Sequence, residues 1–228
     1  LEHYRIAVMA DIHTGSAYQT LEHLEKIVEA VNKENVDLIL IAGDLMAHHR
    51  GRGGYVPPSE IAKRLGKLHA KDGVFGVLGN HDWWYDPREI TREMEANGIP
   101  MLDEKTVAVN NKFQLMGIGD YMEGSPNPEK IFAGISTELP VLAFTHNPDI
   151  FPRIPAGVVL TVAGHTHGGQ VWLPLLGRLV FPSEYGSRFS AGLITESGQQ
   201  LFGTTGIGTS ILPVRWFVPP EVSILEIT

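Results

Sequence analysis

The chain has 228 residues, 43% of them hydrophobic, and no cysteine. This length supports one good core and is short for two, so residues 1–228 are expected to form a single domain. The formal net charge of −8 argues against a general polyanion-binding surface, and duplex nucleic acid is not an expected partner. Because thiolate ligands are excluded, any metal must be held by nitrogen and oxygen atoms.

The first half of the chain alternates predicted strands and helices. YRIAVMADIH is β-prone, and apolar residues at helical spacing follow it from Leu21 to Val31. VDLILIAGD and DGVFGVLGNHD are apolar runs that suit strands buried on both faces. The next segment has the N-cap, first-turn proline and capping-box acid of a helix start at Asp86, Pro87 and Glu89.

The second half is richer in predicted strands. TVAVNNKFQLMGIGD indicates two strands joined by a turn at Asn110 and Asn111. PVLAFTHNP and GVVLTVAGHTH are apolar strands that end in histidine, and the remainder is rich in Gly and Pro with short strands such as EVSILEIT. The succession predicts an α/β protein in which two mixed sheets pack together between helices, a four-layer αββα sandwich.

Polar residues follow five of the apolar strands at their carboxyl ends. Open α/β sheets bind ligands at that edge, so these side chains are expected to meet in one crevice. Carboxylate, carboxamide and imidazole groups are ligands for divalent metals. The residues are Asp11 and His13, then Asp44, then Asn80, His81 and Asp82, then His146, and finally His165 and His167.

The number of candidate ligands favours two ions over one. A catalytic zinc typically uses about three protein ligands and a water, whereas seven of these residues are candidate ligands. A carboxylate can bridge two metals, and such pairs activate water for in-line displacement at phosphorus. The glycine-rich bend GHTHGGQ would direct one histidine to each ion.

The ordered motifs resemble those of the calcineurin-like metallophosphoesterases. The family pattern D-x-H, G-D, G-N-H-D/E, an isolated H and G-H-x-H is present in full and in order from residue 11 to residue 167. The resemblance implies one metal held by Asp11, His13, Asp44 and His167, and a second held by Asp44, Asn80, His146 and His165. It also implies that a metal-bridging hydroxide attacks phosphorus while His81 protonates the leaving oxygen. Manganese is the first choice by resemblance, with iron or zinc as alternatives.

The chain departs from the protein Ser/Thr phosphatases of this family, because GDLMAHHRGRGG lacks their further Asp after the G-D block. A phosphoprotein substrate is therefore disfavoured, and Asp82 becomes the candidate partner that orients His81. Arg50 and Arg52 are candidates for contacting a phosphate, although a solvent-exposed role in this Gly-rich loop is the alternative.

The last third resembles bacterial phosphodiesterases related to UDP-diacylglucosamine pyrophosphatases, on the segments GHTHGGQVWLPLLGRLVFPSEYGSRFSAGL and GTTGIGTSILPVRWFVPPEVSILEI. The implied substrate is a phosphate ester, with a lipid-linked nucleotide diphosphate as one candidate, and the implied partner is a membrane surface. Trp83 and Trp84 are candidate substrate contacts at the rim of the site. The stretch from Trp172 to Phe181 predicts either an apolar lip for such a substrate or a hairpin that completes the core of the second sheet.

No apolar stretch approaches the roughly 20 residues that span a bilayer, so the chain as given is expected to be soluble. Because it opens almost directly on a strand, a native protein with a leader or anchor before Leu1 would be exported or membrane-attached. The alternative to a phosphodiesterase or pyrophosphatase is a catalytically silent binding scaffold with the same fold, and a metal-dependent hydrolase of another bond is a third hypothesis. Oligomeric state leaves no readable signal.

Overall fold

The computed structural model describes residues 3–47, 54–136, 138–175, 177–178 and 181–227. The first sheet is built from β1 (Tyr4–Met9), β2 (Leu38–Ala42), β3 (Val74–Val77) and β12 (Ser223–Ile227). Its strand order is β12-β1-β2-β3, with β1, β2 and β3 parallel and β12 antiparallel to β1. The last strand therefore pairs with the first, which joins the two ends of the chain in one sheet.

The second sheet has six strands in the order β10-β11-β7-β6-β5-β4. The four central strands run parallel, and β4 and β10 are antiparallel at the edges. Its strands are β4 (Lys105–Val109), β5 (Phe113–Gly117), β6 (Val141–Phe144), β7 (Val158–Ala163), β10 (Gly192–Glu196) and β11 (Gln199–Gly203). A separate antiparallel pair consists of β8 (Trp172–Leu173) and β9 (Gly177–Arg178).

Helices flank the two sheets. They are α1 (Leu21–Lys33), α2 (Pro58–Leu65), α3 (Asn80–Tyr85), α4 (Pro87–Ala96) and α5 (Pro128–Ala133), with 3-10 helices at Pro148–Arg153 and His167–Gly169. In the described ranges, none of the helices combines the length and the apolar character needed to span a bilayer. The four-layer sandwich of two mixed sheets between helices is confirmed.

The strand sequences explain the layers, because alternate residues of a strand point to opposite faces. Ile6 and Val8 of β1 lie in the core between the two sheets, together with Leu115 of β5 and Phe144 of β6. Ala7 and Met9 of the same strand face outward and pack with apolar residues of α1, α2 and α4. Each central strand is thus buried on both faces, as its continuous apolar sequence predicts.

Two local predictions are confirmed. Asn110 and Asn111 join β4 to β5 with φ angles of 44° and 54°, as expected for a tight hairpin turn. The Asp86 side chain accepts hydrogen bonds from the backbone N–H groups of Arg88 and Glu89 at the start of α4. By contrast, α2, α3 and α5 are not among the predicted elements, and α3 begins directly on the motif residue Asn80.

The hypothesis that the stretch after Trp172 completes the core of the second sheet is wrong for its described part. β8 and β9 form their own pair outside that sheet, and Leu175 at the tip of this hairpin is fully exposed. A short two-stranded hairpin has no second layer to pack on and leaves its apolar residues at the surface. Leu176, Leu179 and Val180 lie outside the described residues.

Candidate metal centre

The seven candidate ligands meet at one edge of the sandwich. The parallel strands β1, β2 and β3 of the first sheet, and β6 and β7 of the second, deliver them from their carboxyl ends. All seven side chains are buried: Asp11, His13, Asp44, Asn80, His146, His165 and His167. The expectation that strand-end residues converge is therefore confirmed as geometry.

The backbone is held in an uncommon conformation at five of these seven residues. Positive φ angles of 49° to 69° occur at Asp11, His13, Asp44, His165 and His167. Only a few per cent of non-glycine residues have φ above zero, and such outliers persist where the surrounding structure enforces them. Here the strands turn sharply at their ends so that successive side chains point into the same small volume.

The glycines of the motifs allow the loops to approach one another. A Cβ atom at Gly79 would collide with the Asp44 carboxylate, and one at Gly43 would meet the backbone of Gly79. Gly43 also has a φ of 81°, which side chains disfavour. The G-D and G-N-H motifs thus need glycine because the loops after β2 and β3 are in direct contact.

One group of ligand atoms comes from Asp11, His13 and His167, and these atoms lie within 4.8 Å of one another. Nε2 of His13 is 3.1 Å from Nε2 of His167. Nε2 of His167 is 3.5 Å from Oδ1 of Asp11. Two ring nitrogens and a carboxylate oxygen therefore face a common point.

A second group comes from Asp44, His146 and His165, again within 4.8 Å. Nδ1 of His165 is 3.1 Å from Nε2 of His146. The side-chain oxygen of Asn80 lies 3.2 Å from the same Nε2 atom and adds a neutral oxygen ligand to the group.

Asp44 lies between the two groups. Its Oδ2 atom is 3.5 Å from Nε2 of His13 and 3.3 Å from Nε2 of His146. Its Oδ1 atom accepts a hydrogen bond of 2.9 Å from the backbone N–H of His81. This carboxylate therefore has the position of a ligand shared by two ions.

Backbone carbonyls orient two of the rings for metal binding. Nδ1 of His146 lies 2.8 Å from the carbonyl of Ala42, and Nδ1 of His13 lies 3.3 Å from that of Met46. Because a carbonyl only accepts hydrogen bonds, each Nδ1 must donate, which leaves the electron pair of Nε2 directed into the site.

Arg215 is the partner of a third ring. Its Nη2 atom lies 3.2 Å from Nδ1 of His167 and donates to the carbonyls of Thr205 and Gly206. A guanidinium only donates, so Nδ1 accepts and the neutral ring has its proton on Nε2. Histidine binds a metal as the neutral ring, so ligation through Nε2 requires this proton to move to Nδ1, which ends the hydrogen bond from Arg215.

The electrostatics of the site favour a cation. Burial lowers the pKa of His13 to about 4 and that of His165 to about 3, so both rings are neutral and have free electron pairs at pH 7. Burial alone would raise the pKa of Asp44, but His146 and His13 hold it well below its usual value. The neutral imidazoles of His13 and His165 and the ionised carboxylate of Asp44, all buried and of mixed N and O type, fit divalent metal ions.

Asp82 contacts backbone amides. Its Oδ1 atom accepts hydrogen bonds from the N–H groups of Leu45 and Met46 at 3.0 and 3.2 Å, and its Oδ2 atom accepts one from Gly79 at 2.9 Å. This fully buried carboxylate joins the loop after β2 to the start of α3. The arrangement gives Asp82 a structural task, and its role as the partner that orients His81 stays a prediction.

Trp84 and His13 flank the half-buried ring of His81. The ring centroids of His81 and Trp84 are 4.7 Å apart, and those of His81 and His13 are 4.6 Å apart. The indole N–H of Trp84 donates a 2.7 Å hydrogen bond to Oε1 of Glu123, which belongs to the loop after β5. Trp83 instead packs against the core beneath α1, α2 and α4, away from the place predicted for it.

Sequence reasoning missed Arg215 and Glu123. Arg215 could have been singled out from the sequence, since it is the only charged residue between residues 204 and 220. Glu123 has no sequence signal that distinguishes it from other surface acids. Arg50 and Arg52, the predicted phosphate contacts, lie outside the described residues, as do the neighbouring His48 and His49.

Comparison with known proteins agrees with this site. The model of the calcineurin-like phosphoesterase family matches residues 4–169. The chain is 29% identical to the phosphodiesterase YaeI of Escherichia coli over 98% of this chain and 82% of that protein. It is 22% identical to the UDP-2,3-diacylglucosamine pyrophosphatase LpxG of Chlamydia trachomatis, over 97% of this chain and 83% of that protein.

The fold comparison gives the same result. The crystal structure of TT1561 of Thermus thermophilus superimposes with a TM-score of 0.58 at 12% identity, covering 90% of this chain and 92% of that one. Together with the family match over most of the chain, the shared fold and the two ligand groups lead to one conclusion. The chain belongs to the calcineurin-like phosphoesterase family, whose members are metal-dependent hydrolases.

Proposed function

We propose that this protein is a dinuclear metal-dependent phosphoesterase that cleaves a phosphodiester or a pyrophosphate. The observation that supports this most directly is the pair of buried ligand groups on either side of Asp44. A site for one structural ion would need neither the second group nor a shared carboxylate.

The proposed ligands follow the two groups. Asp11, His13, Asp44 and His167 hold one ion, and Asp44, Asn80, His146 and His165 hold the other. Two bound divalent cations would supply a nucleophile from water and neutralise charge on the phosphoryl oxygens. Manganese is proposed first, and the mixed nitrogen and oxygen ligands also suit iron or zinc. Residues 1–228 are proposed to form one domain around this site.

His81 is the proposed general acid. Its backbone N–H donates to Asp44, which fixes the position of the residue. Its ring is only partly buried and has a nitrogen within 4.8 Å of ligand atoms of His13 and Asp44. From there the ring can donate a proton to the oxygen that leaves phosphorus. Trp84 sets the angle of the ring by packing on it, and Glu123 holds Trp84.

Changing Trp84 or Glu123 is expected to lower turnover moderately. Trp84→Phe removes the indole N–H and Glu123→Ala removes its acceptor, so each should reduce kcat by about 3- to 10-fold, the equivalent of one hydrogen bond of roughly 1 kcal/mol. Glu123→Gln keeps an oxygen acceptor and should recover most of the loss. Steady-state kinetics with an aryl phosphodiester measure this, with the exposed Glu129→Ala as a matched control. A change confined to KM would point to substrate contact by Trp84 in place of positioning.

Asp82 is proposed to stabilise the loop that contains Asp44, which revises its expected catalytic role. Asp82→Ala would leave three backbone N–H groups without their acceptor. We expect a loss of about 3 kcal/mol in the free energy of unfolding, measured by urea denaturation of metal-free protein. If the variant unfolds at the same urea concentration as the parent but has lost turnover, Asp82 acts in catalysis and the structural role is wrong.

The substrate class is proposed from the relatives. A phosphodiesterase and a pyrophosphatase both align over nearly the whole of this chain. In a phosphodiester and in a disubstituted pyrophosphate alike, the attacked phosphorus has two bridging oxygens, and one of them departs with the leaving group. A nucleotide diphosphate linked to a lipid is the proposed substrate to test after model esters, and Arg50 and Arg52 are retained as proposed phosphate contacts.

The decisive experiment is hydrolysis of an aryl phosphodiester and the matching monoester by chelator-stripped protein, with manganese, iron, zinc or magnesium restored in turn. Metal-dependent cleavage that favours the diester is the expected result. Failure to cleave either ester, in protein that binds two ions, would favour the alternative of a catalytically silent scaffold. Preference for the monoester would overturn the proposed substrate class.

A further inference from the structure

An apolar surface borders the metal centre. We call it the apolar rim and define it by seven residues on two neighbouring loops. One loop is the β8–β9 hairpin, and the other follows β11. Its members are Trp172, Leu175, Ile211, Leu212, Val214, Trp216 and Phe217, all of them exposed. Ile211, for example, is 96% exposed, and Phe217 is 67% exposed.

The two loops of the rim form one surface. The backbone N–H of Trp172 donates to the carbonyl of Trp216 at 2.8 Å, and the Gln170 side chain donates to the carbonyl of Leu212 at 2.7 Å. The Phe217 ring lies 5.7 Å from that of Trp172 and 5.5 Å from that of Trp216. Hydrogen bonds and ring contacts thus hold the apolar side chains in one place.

In the loop after β11, the apolar side chains are exposed and the one charged side chain points inward, the reverse of what is usual for a loop that faces water. From residue 211 to residue 217, every residue except Arg215 is exposed, and every residue except Arg215 is uncharged and apolar. Arg215 turns inward, where it contacts His167 and backbone carbonyls. Water-facing loops place charge outside and apolar groups inside, so this loop is suited to an apolar environment.

The shape of the rim favours a fluid partner over a protein surface. Leu175, Ile211 and Phe217 have φ angles of 72°, 63° and 55°, which are unfavourable for such residues. Their side chains are nevertheless turned to the surface, and those of Leu175 and Ile211 are almost completely exposed. Single projecting side chains can enter a lipid layer, whereas a stable protein interface needs a broad, closely packed face.

We propose that the apolar rim docks this protein on the surface of a lipid bilayer, with the metal centre facing the interface. The aromatic and aliphatic members would enter the boundary between head groups and acyl chains, where tryptophan is favoured. Because the rim itself has no charge and the chain has a net charge of −8, docking relies on apolar insertion and not on attraction to anionic lipid.

The position of the rim gives docking a consequence for the site. Gln170 lies three residues after His167, and Arg215, which belongs to the rim loop after β11, contacts the His167 ring. A phosphate ester anchored in the lipid would therefore meet the site where the protein docks. This consequence rests on the proposed function, whereas the docking itself does not.

The test is flotation of the purified chain with phosphatidylcholine vesicles, and with vesicles that also contain about one third phosphatidylglycerol, an anionic lipid fraction sufficient to reveal electrostatic attraction. We expect reversible binding with a partition constant on the order of 10⁴ M⁻¹, as for a single acyl chain. The anionic lipid should change it by less than about twofold, since the protein has no net attraction to negative charge. Binding only to anionic vesicles, or to neither kind, would overturn the proposal.

Variants separate the rim from other apolar residues. Ile211→Ser with Phe217→Ser should lower vesicle binding by roughly 10-fold or more, since apolar area buried in the interface sets the affinity. Leu175→Asp, at a fully exposed tip where folding is not affected, should lower it as well. Val159→Ser with Leu193→Ser changes two exposed apolar residues of the second sheet and is the matched control. Equal loss in the control would overturn the assignment of the surface.

The oligomeric state provides a further outcome. If the parent chain is a dimer in solution and the Ile211→Ser, Phe217→Ser variant is a monomer, the rim is an interface between copies and the lipid proposal is overturned. The vesicle assay needs neither metal nor substrate, so its failure and the failure of the proposed phosphoesterase activity are independent of each other.

Discussion

Asp44→Asn is expected to abolish the paired metal site. The change keeps the shape of the side chain but removes the negative charge of the only carboxylate that lies between the two ligand groups among the described residues. Loss of a group that merely supports a ligand already costs about 10- to 100-fold in metal affinity or activity. We therefore expect turnover to fall by more than about 100-fold, and fewer than two ions to remain after dialysis.

Metal analysis and thermal unfolding measure this effect independently of turnover. A bound ion stabilises the folded state, so a chelator should lower the Tm of the parent protein more than that of the variant. Glu29→Gln, on the exposed face of α1, removes the same charge without touching the site and is the control. Retention of two ions and of full turnover in Asp44→Asn would contradict the shared-ligand assignment.

His81→Ala is expected to slow hydrolysis without loss of metal. The backbone N–H that contacts Asp44 remains in the variant, so the ligand geometry should be preserved. Loss of a general acid typically costs about 100- to 10,000-fold. That loss should be seen with a phenyl ester, whose leaving oxygen needs a proton, and should nearly vanish with a dinitrophenyl ester, whose anion leaves unaided.

The comparison of the two esters also tests whether Trp84 and Glu123 act by positioning the His81 ring. Trp84→Phe and Glu123→Ala should follow the pattern of His81→Ala at smaller amplitude if they position its ring. An equal loss with both esters in His81→Ala would assign His81 to transition-state charge stabilisation in place of proton donation. If His81→Ala slows cleavage of the phenyl ester only, as expected, but Trp84→Phe has no effect on either ester, Trp84 does not position His81. The role of His81 as general acid would then still stand.

Much of the fold could be predicted because its signals are local. Apolar runs identify the parallel strands, and the Asn110–Asn111 turn and the Asp86 cap depend on neighbouring residues only. The short helices α2, α3 and α5 could not be predicted in the same way, since helices of six to eight residues gain little from their own sequence and depend on packing. The exposed β8–β9 hairpin was open to two interpretations, because apolar composition does not say whether a partner layer exists.

The candidate ligands were determined by sequence alone. Each follows an apolar strand at its carboxyl end, and strand direction brings such residues to one edge whatever the loops do. What only the tertiary structure decided is how residues distant along the chain meet. It placed Asp82 on backbone amides, Glu123 on Trp84, Arg215 on His167, and the apolar rim beside the metal centre. Apart from the local contact of Asp82 with Gly79, the hydrogen bonds among these contacts join residues 36 to 48 positions apart. No periodicity or spacing encodes them, because they depend on where the completed sheets bring each loop.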